Sequence, residues 1–543
     1  MKWVLGIIFG VLCSFSAYAG LAVNVDYIHS LIQRKWDVTV PLNDALTDTS
    51  MVANMEYLLR AVDVANYKLN GWVTTNYAES EYATNAAADT VATQLAVDNL
   101  IKFIGFPFSL TTTDTTEYFQ FTMSAKGTFY VNWGDGNEEV IERSDTNETT
   151  YEHTYATAGE YKIELDGKAT AYSNGSTTPA ISFNNNQNVA KISGSLGIIF
   201  PTLANGTQPK FYYTFGNLPN LGGAIPPSLF TGINGKPTKN MFYGTFFGAS
   251  NLTGQIPEKL FAGIKGDPME GLFYRTFENC SGLGGDIPAG LFAGLDGAPA
   301  RDMFHATFSG CVGLTGFGGA LFAGISGAPA QRMYNATFSG CSGLTGSIPS
   351  GLFGVFNGVA QELMFGNTFY SCSGLTGGIP ANLFAGVTGQ PAKRMFEGTF
   401  NMCSGLTESI PADLFAGLDG TPMEKMFYNT FAGCSSLSGD VPSGLFANIS
   451  GAVAPQMFAR TFYNCSSLTG IQDGVFGALT GGAQNQMFME MFYRNYALRG
   501  PSARIGGQYL YEIWPDATSS HVGKMYSDDT GLSDWISIPS AWK

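Results

Sequence analysis

The sequence predicts a multidomain α/β protein, in which a solenoid of about ten 31-residue units follows a small β domain and an N-terminal helical segment. The first observation is the dipeptide Thr-Phe, which recurs nine times between Thr214 and Phe462 and has a degenerate tenth copy at Met491–Phe492. The spacing is 31 residues except twice, when it is 30. Alternating aromatic residues over 118–133 indicate strands, and apolar residues over 51–65 have helical spacing. A fixed period of this length is typical of stacked units.

The composition limits the classes of protein to which the chain can belong. At 543 residues it is too long for one compact core. Only 13% of its residues are charged, which excludes a highly charged disordered chain. The net charge of −15 argues against a nucleic-acid partner, because phosphate binding needs a clustered basic surface. A mild acidic excess more commonly keeps a large extracellular protein soluble.

Residues 1–19 have the parts of a secretory signal peptide: one Lys, an apolar run, and small residues at Ala17 and Ala19. Cleavage is expected after Ala19 and would remove Cys13. The alternative, lipid attachment at Cys13, fits a lipobox only loosely because Leu12 stands where a small residue is wanted. No later apolar run approaches the roughly 18 residues that span a bilayer. We therefore expect no membrane span and a secreted, extracellular or surface-held mature chain.

The region 20–106 is predicted to be helical. Within 49–71, six residues form one apolar stripe at helical spacing, and a second helix is predicted over 85–105. Two helices of this size indicate a hairpin or a small bundle, whose function the sequence does not indicate. The stripe consists of Met51, Met55, Leu58, Leu59, Val62 and Ala65.

The region 107–172 has strand periodicity, and its WGDG segment predicts a tight hairpin turn in which Gly supplies positive φ. This region resembles a PKD-type domain, which implies a small immunoglobulin-like β-sandwich of a kind common in exported bacterial proteins. Asp135 is interpreted as a turn residue; metal ligation or acid catalysis by Asp135 is the alternative. The resemblance depends on Trp133, Gly134, Asp135, Gly136, His153, Thr154, Tyr155, Gly159 and Tyr161.

One repeat unit shows how each is built. The segment from Ala328 to Cys341 has a wide apolar face that predicts a short helix opened by Pro329. "LTGSIP" is then a short extended segment, and a compact turn follows. In nine units a glycine stands five residues after the phenylalanine of the "LF" that follows this segment ("VF" in the ninth), and it predicts a backbone with positive φ. These glycines are Gly235, Gly266, Gly297, Gly327, Gly358, Gly389, Gly420, Gly451 and Gly481.

The unit resembles leucine-rich repeats of the BspA-like bacterial class in the pattern of Phe338, Cys341, Leu344 and Ile348–Pro349. The resemblance implies a right-handed solenoid with a ladder of short parallel strands, and a role in surface attachment or recognition. We assign the solenoid and its N-terminal transition to 173–499. Residues 500–543 contain "GLSDWISIP", a distorted last copy of the motif, and are predicted to form a C-terminal cap.

Seven cysteines stand four residues after the Thr of Thr-Phe, where two earlier units have Leu218 and Ala249. Because apolar residues replace Cys there, the position is interpreted as a buried structural core site for a small apolar side chain. Disulfides between neighbouring units stay an alternative, and metal binding has less support because thiol ligands normally come in clustered pairs. The cysteines are Cys280, Cys311, Cys341, Cys372, Cys403, Cys434 and Cys465.

The sequence contains no recognisable catalytic or cofactor motif, so we expect neither an enzyme nor a cofactor or metal, although a nucleophile and its base can meet in space without a motif. The predicted function is macromolecular recognition or adhesion toward a protein or glycan on another cell or matrix. The alternative is a structural spacer or self-assembling surface-layer or filament component without a specific ligand. Candidate partner-binding residues occupy the position two before the repeated Thr: Tyr243, Tyr274, His305, Asn335, Glu397 and Tyr428.

Overall fold

A computed structural model describes residues 107–543 except residue 185. The expected signal peptide, Cys13 and the expected helical region lie outside the described residues. The described chain is rich in short strands that form small sheets, and its helices are few and short. It divides into two compact units, and each is described below by itself.

The first unit contains described residues 107–109, 128–141 and 163–168. Its strands come from β3 (Lys126–Asn132), β4 (Glu138–Arg143) and β6 (Lys162–Ala171), which are neighbours in the order β4-β3-β6. The turn between β3 and β4 has Gly134 at φ 87° and Gly136 at φ 94°, as the WGDG segment predicts. The N–H of Asn137 donates to Oδ1 of Asp135 at 3.0 Å, so Asp135 is a turn residue.

The second unit contains the rest of the described chain. The remaining elements before the repeats are β1 (Phe108–Thr112), β2 (Thr116–Met123), β5 (Thr149–Gly159), β7 (Ile181–Ser182) and β8 (Val189–Gly194), followed by helix α1 (Leu196–Ile199). A three-stranded antiparallel sheet has the order β5-β2-β7, with Phe121 of β2 opposite Tyr151 of β5 and Thr122 opposite Ser182 of β7. Strands β1 and β8 are also neighbours.

Each repeat of the second unit packs against the next through alternate backbone groups. The N–H of Phe304 donates to the carbonyl of Met333 at 3.1 Å, and the N–H of Ala306 donates to that of Asn335 at 2.9 Å. The intervening residues close turns within their own repeat, as Thr307 does to the carbonyl of Phe304 at 3.2 Å. Half of the N–H groups of this segment are therefore directed between repeats.

The predicted helix from Pro329 to Cys341 is wrong. Every fourth residue of the segment has positive φ, at 54° for Arg332, 54° for Ala336 and 74° for Gly340. A right-handed helix cannot contain these conformations, which cost roughly 1–2 kcal/mol for a residue other than Gly. The hydrogen bonds to the next repeat, each worth about 1 kcal/mol, offset that cost. A series of turns therefore replaces the helix.

Short extended segments also pair between repeats, and these pairs are parallel. Leu314 lies opposite Gly285, and Leu468 lies opposite Gly439. All nine of the glycines that stand five residues after the phenylalanine of "LF", or of "VF" before Gly481, have positive φ, between 78° and 158°, which confirms that prediction. The strands are β9 (Gly285–Ile287), β10 (Leu314–Phe317), β11 (Gly358–Val359), β12 (Val387–Thr388), β13 (Gly439–Val441), β14 (Gly451–Ala452), β15 (Leu468–Ile471) and β16 (Leu479–Thr480).

Columns of stacked aromatic rings form the core of the repeats. In the column of Thr-Phe phenylalanines, the ring centroid of Phe400 lies 5.6 Å from Phe369 and 5.5 Å from Phe431, and the planes differ by 4° and 7°. Phe365 and Phe396 belong to a second such column, with centroids 5.7 Å apart. These rings are fully or almost fully buried. Aromatic stacking thus links each repeat to both neighbours.

Both ends of the array are covered. At the first end, Phe183 stacks on Phe215 at 5.7 Å and belongs to the segment whose β7 pairs with β2. At the last end, Tyr526 stacks on Phe492 at 5.8 Å, and its N–H donates to the carbonyl of Trp542 at 2.9 Å. The C-terminal elements are β17 (Arg504–Ile505), β18 (Gln508–Tyr509), α2 (Leu510–Ile513), α3 (Ser519–Val522) and a 3-10 helix (Ser540–Trp542).

Candidate functional site

The repeated threonine is buried and bonds to the preceding repeat. The hydroxyl of Thr307 donates to the carbonyl of Phe273 at 2.9 Å, and that of Thr399 donates to the carbonyl of Phe365 at 2.9 Å. A buried carbonyl without a donor costs about 1–3 kcal/mol, so the threonine column satisfies groups that packing hides from water. The column consists of Thr214, Thr245, Thr276, Thr307, Thr337, Thr368, Thr399, Thr430 and Thr461.

The seven cysteines of the repeats are buried and free. Like the threonines, they bond to the preceding repeat. The thiol of Cys341 donates to the carbonyl of Phe308 at 3.0 Å, and the other six thiols make the equivalent bond at 2.9–3.0 Å. Burial raises the pKa of Cys341 and of Cys403 to about 12. Because the thiolate is the reactive form, these side chains are poor nucleophiles.

Asn495 shows which kinds of side chain fit the cysteine position of the repeat. It stands four residues after Met491, where other repeats have Cys, and its amide donates to the carbonyl of Phe462 at 2.8 Å. The interpretation of the position as a site for any small apolar side chain was incomplete, since a buried hydrogen-bond donor also fits it. The register of Asn495 with the cysteines was a sequence signal that pointed to this role.

The side chain of Asp529 is buried at the C-terminal end of the array. Asp529 accepts a hydrogen bond from the N–H of Asn495 at 2.9 Å. Among the described residues, neither Oδ2 of Asp529 nor Oδ1 of Asn495 has a hydrogen-bond partner. Burial raises the pKa of Asp529 to about 9, so its carboxyl group is protonated at neutral pH.

This acid makes stability depend on pH. Its pKa is higher in the folded chain than in the unfolded one, so its contribution is complete below pH 4 and is lost as pH rises through about 9. Asp529→Asn is expected to raise the free energy of unfolding by about 1–3 kcal/mol at pH 8 and to flatten this pH dependence. Thermal unfolding from pH 5 to 9 measures both effects, with the exposed Asp516→Asn as control. An unchanged pH profile in Asp529→Asn would contradict the assignment.

Three of the six candidate partner-binding residues lie together. The rings of Tyr243 and Tyr274 stack with centroids 4.4 Å apart and planes 6° apart, and His305 lies 4.4 Å from Tyr274. Tyr212 extends the row at 4.9 Å from Tyr243, and Tyr213 lies 5.6 Å from Tyr243. These five half-buried residues are called the tyrosine face below. Burial and the neighbouring phenols raise the pKa of Tyr243.

The other three candidates have separate surroundings. Asn335 is buried and its amide donates to the carbonyl of Gly366 at 3.0 Å, so its role is structural. Glu397 forms an ion pair with Arg394. Tyr428 lies under the ammonium of Lys425, 5.6 Å from the ring centroid. Tyr212 and Tyr213 were not among the predicted binding residues, although Tyr212 stands two residues before Thr214, at the same position of the repeat as the six candidates.

A cleft of about 340 Å³ adjoins the tyrosine face. It lies where β2, the segment before β5 and the start of the repeats meet, and its side chains are mostly hydroxyls, amides and phenols. The lining residues are Gln120, Phe121, Thr122, Glu148, Thr150, Thr177, Pro179, Ser182, Asn184, Tyr212 and Tyr213.

Within the described ranges, no group of three or more His, Cys, Asp or Glu residues is arranged to hold a metal ion. The described helices include none of the length and apolar character that crossing a membrane requires. Comparisons with protein-family models, curated proteins and solved structures found no match.

Proposed function

We propose that the chain is an exported bacterial surface or secreted protein that recognises another macromolecule and is not an enzyme. In this proposal, a PKD-like β-sandwich at 107–172 precedes a leucine-rich-repeat-type solenoid at 173–499 and a cap at 500–543. The bonds and stacked rings between successive repeats support the solenoid.

The observation that carries the proposal is the contrast between uniform and variable positions of the repeat. The repeated Thr and Cys side chains make hydrogen bonds inside the array, and the repeated Phe rings stack there. The position two before Thr varies, and near the first end of the array it carries neighbouring aromatic side chains. A rigid frame with a variable, aromatic outer position suits a binding surface, because Tyr is enriched among residues that dominate binding energy.

Stacking also prepares the tyrosine face for binding. The rings of Tyr243 and Tyr274 stack on each other. Tyr212 lies against Tyr243 and His305 lies against Tyr274, so the edges and hydroxyls of the two central rings are the parts available to a partner. Arg275 lies 5.5 Å from the ring centroid of Tyr274 and restrains it further. Side chains that are already ordered lose less entropy on binding.

Tyr274→Ala is expected to weaken binding about tenfold or more, because it removes a central ring of the tyrosine face. The mature full-length protein would be screened on arrays of glycans and of cell-surface and matrix proteins, and the affinity for each hit would then be measured. Tyr370→Ala is the control, since this exposed tyrosine belongs to another position of the repeat. Equal losses in both variants, or no saturable binding by the wild type, would contradict the proposal.

The covered ends bear on the alternative of a self-assembling filament. An array grows end to end through unpaired groups, yet the first end is joined to β2 and the last end donates to Trp542. We therefore expect a monomer in sedimentation at concentrations where the macromolecular ligand is bound.

A further inference from the structure

We infer that the cleft beside the tyrosine face, which is lined by Gln120, Glu148, Asn184, Tyr212 and Tyr213, binds a neutral carbohydrate. This inference rests on the proposed recognition function and names its ligand class. The volume of about 340 Å³ lies at the small end of the range of ligand pockets, which suits one or two sugar rings.

The chemistry of the lining favours a polyhydroxylated ligand. Thr122, Thr150 and Thr177 carry hydroxyls that both donate and accept, and the carboxylate of Glu148 accepts. Neighbouring hydroxyls of a sugar ring require both kinds of partner. The lining contains no Lys or Arg, so it offers no charge to neutralise a phosphate or sulfate, and a neutral ligand fits better than an anionic one.

One amide of the lining is already oriented by the protein. The amide of Asn217 donates to Oδ1 of Asn184 at 3.2 Å, so the NH₂ group of Asn184 is the end that a ligand can use. Gln120 lies 3.0 Å from the hydroxyl of Tyr118, but the single proton of that hydroxyl is directed to the carboxylate of Glu152 at 2.7 Å, so this contact does not set the orientation of the Gln120 amide. A fixed amide that presents a donor reduces the entropy lost when a hydroxylated ligand binds.

Aromatic rings complete the cleft and connect it with the tyrosine face. Tyr212 and Tyr213 both line the cleft and meet edge to face at 5.1 Å. The parts of these rings that line the cleft are the aromatic surface that it offers to the apolar C–H side of a sugar. Tyr212 also lies 4.9 Å from Tyr243, so a glycan chain that leaves the cleft can continue along the tyrosine face. The cleft would then hold the terminal sugars of a longer glycan.

The test uses the mature full-length protein and four neutral disaccharides: maltose, cellobiose, lactose and diacetylchitobiose. Saturation-transfer NMR and titration are expected to show binding of at least one, with a Kd below about 10 mM. Tyr212→Ala is expected to weaken it about tenfold or more, and Glu148→Gln severalfold. Glu148 is exposed, so its variant tests the site without disturbing the fold. Tyr370→Ala is the control and is expected to bind as the wild type does.

The outcomes separate this inference from the proposed function. Absence of binding by all four sugars, or unchanged binding in both cleft variants, overturns the carbohydrate assignment. If Tyr274→Ala still weakens binding of a macromolecule in that case, the proposed recognition function is supported without the carbohydrate assignment. If the Tyr212 and Glu148 variants lose disaccharide binding while Tyr274→Ala binds macromolecules as the wild type does, the carbohydrate assignment of the cleft is supported. In that case the proposed role of the tyrosine face in macromolecular binding is contradicted.

Discussion

Replacing Phe400 by Ala is expected to lower the free energy of unfolding by about 3–5 kcal/mol. Phe400 is fully buried, and its ring lies 5.6 Å from that of Phe369 and 5.5 Å from that of Phe431. The substitution removes both ring contacts and leaves a cavity that the stacked backbone cannot close, because hydrogen bonds to both neighbours hold it in place. Coupling between adjacent repeats spreads this loss along the array.

Urea unfolding followed by circular dichroism measures the effect. Tyr370→Ala is the matched control, since it removes an exposed aromatic side chain at a nearby position of the array. We expect less than about 1 kcal/mol for the control. A loss for Phe400→Ala no greater than that of the control would show that the aromatic column does not hold the repeats together.

Replacing Cys341 by Asp is expected to prevent folding at neutral pH, because it would bury an ionised carboxylate beside the carbonyl of Phe308. Cys341→Ala removes the thiol hydrogen bond and a small volume, for which we expect a loss of about 1–2 kcal/mol. Cys341→Ser keeps a donor at the same position and is expected to fold, with a smaller loss than Asp.

Expression of the soluble protein and thermal unfolding rank the three variants. The predicted order of stability is wild type, then Ser and Ala, with Asp far below. The exposed Ser342→Asp, one residue further along the chain, is the control for added charge and is expected to fold normally. If Cys341→Asp folds as well as this control, position 341 is not buried in the way described.

Several features of the array follow from its sequence. The period, the Phe positions and the repeated glycines can be recognised because each recurs at the same position of successive repeats. Recurrence of one residue type at one position of the repeat indicates a structural requirement at that position. Gly266 and Gly420, for example, have φ of 85° and 106°, conformations that favour Gly. The turn at Asp135 likewise follows from the local sequence WGDG.

The turn segment could not be predicted from the sequence. Its apolar spacing matches a helix, yet Leu363 and Arg332 take positive φ, which neither residue favours. The stabilising contacts are backbone hydrogen bonds to the next repeat, and no single unit reveals them. The cleft could not be predicted from the sequence either, because Gln120 and Tyr212, which both line it, are separated by more than 90 residues. They are brought to one cleft by the pairing of β7 with β2 and by the bonds from the β7 segment to the first repeat.

Thiol labelling tests most directly the central claim that the repeated cysteines are buried inside the array as free thiols. The protein would be treated with iodoacetamide, first folded and then unfolded in guanidinium without reductant, and mapped by mass spectrometry. The structure predicts almost no label on the seven repeat cysteines in the folded protein and complete label after unfolding. Rapid labelling of the folded protein, or resistance to labelling after unfolding, would contradict it, because the first requires exposed thiols and the second requires disulfides.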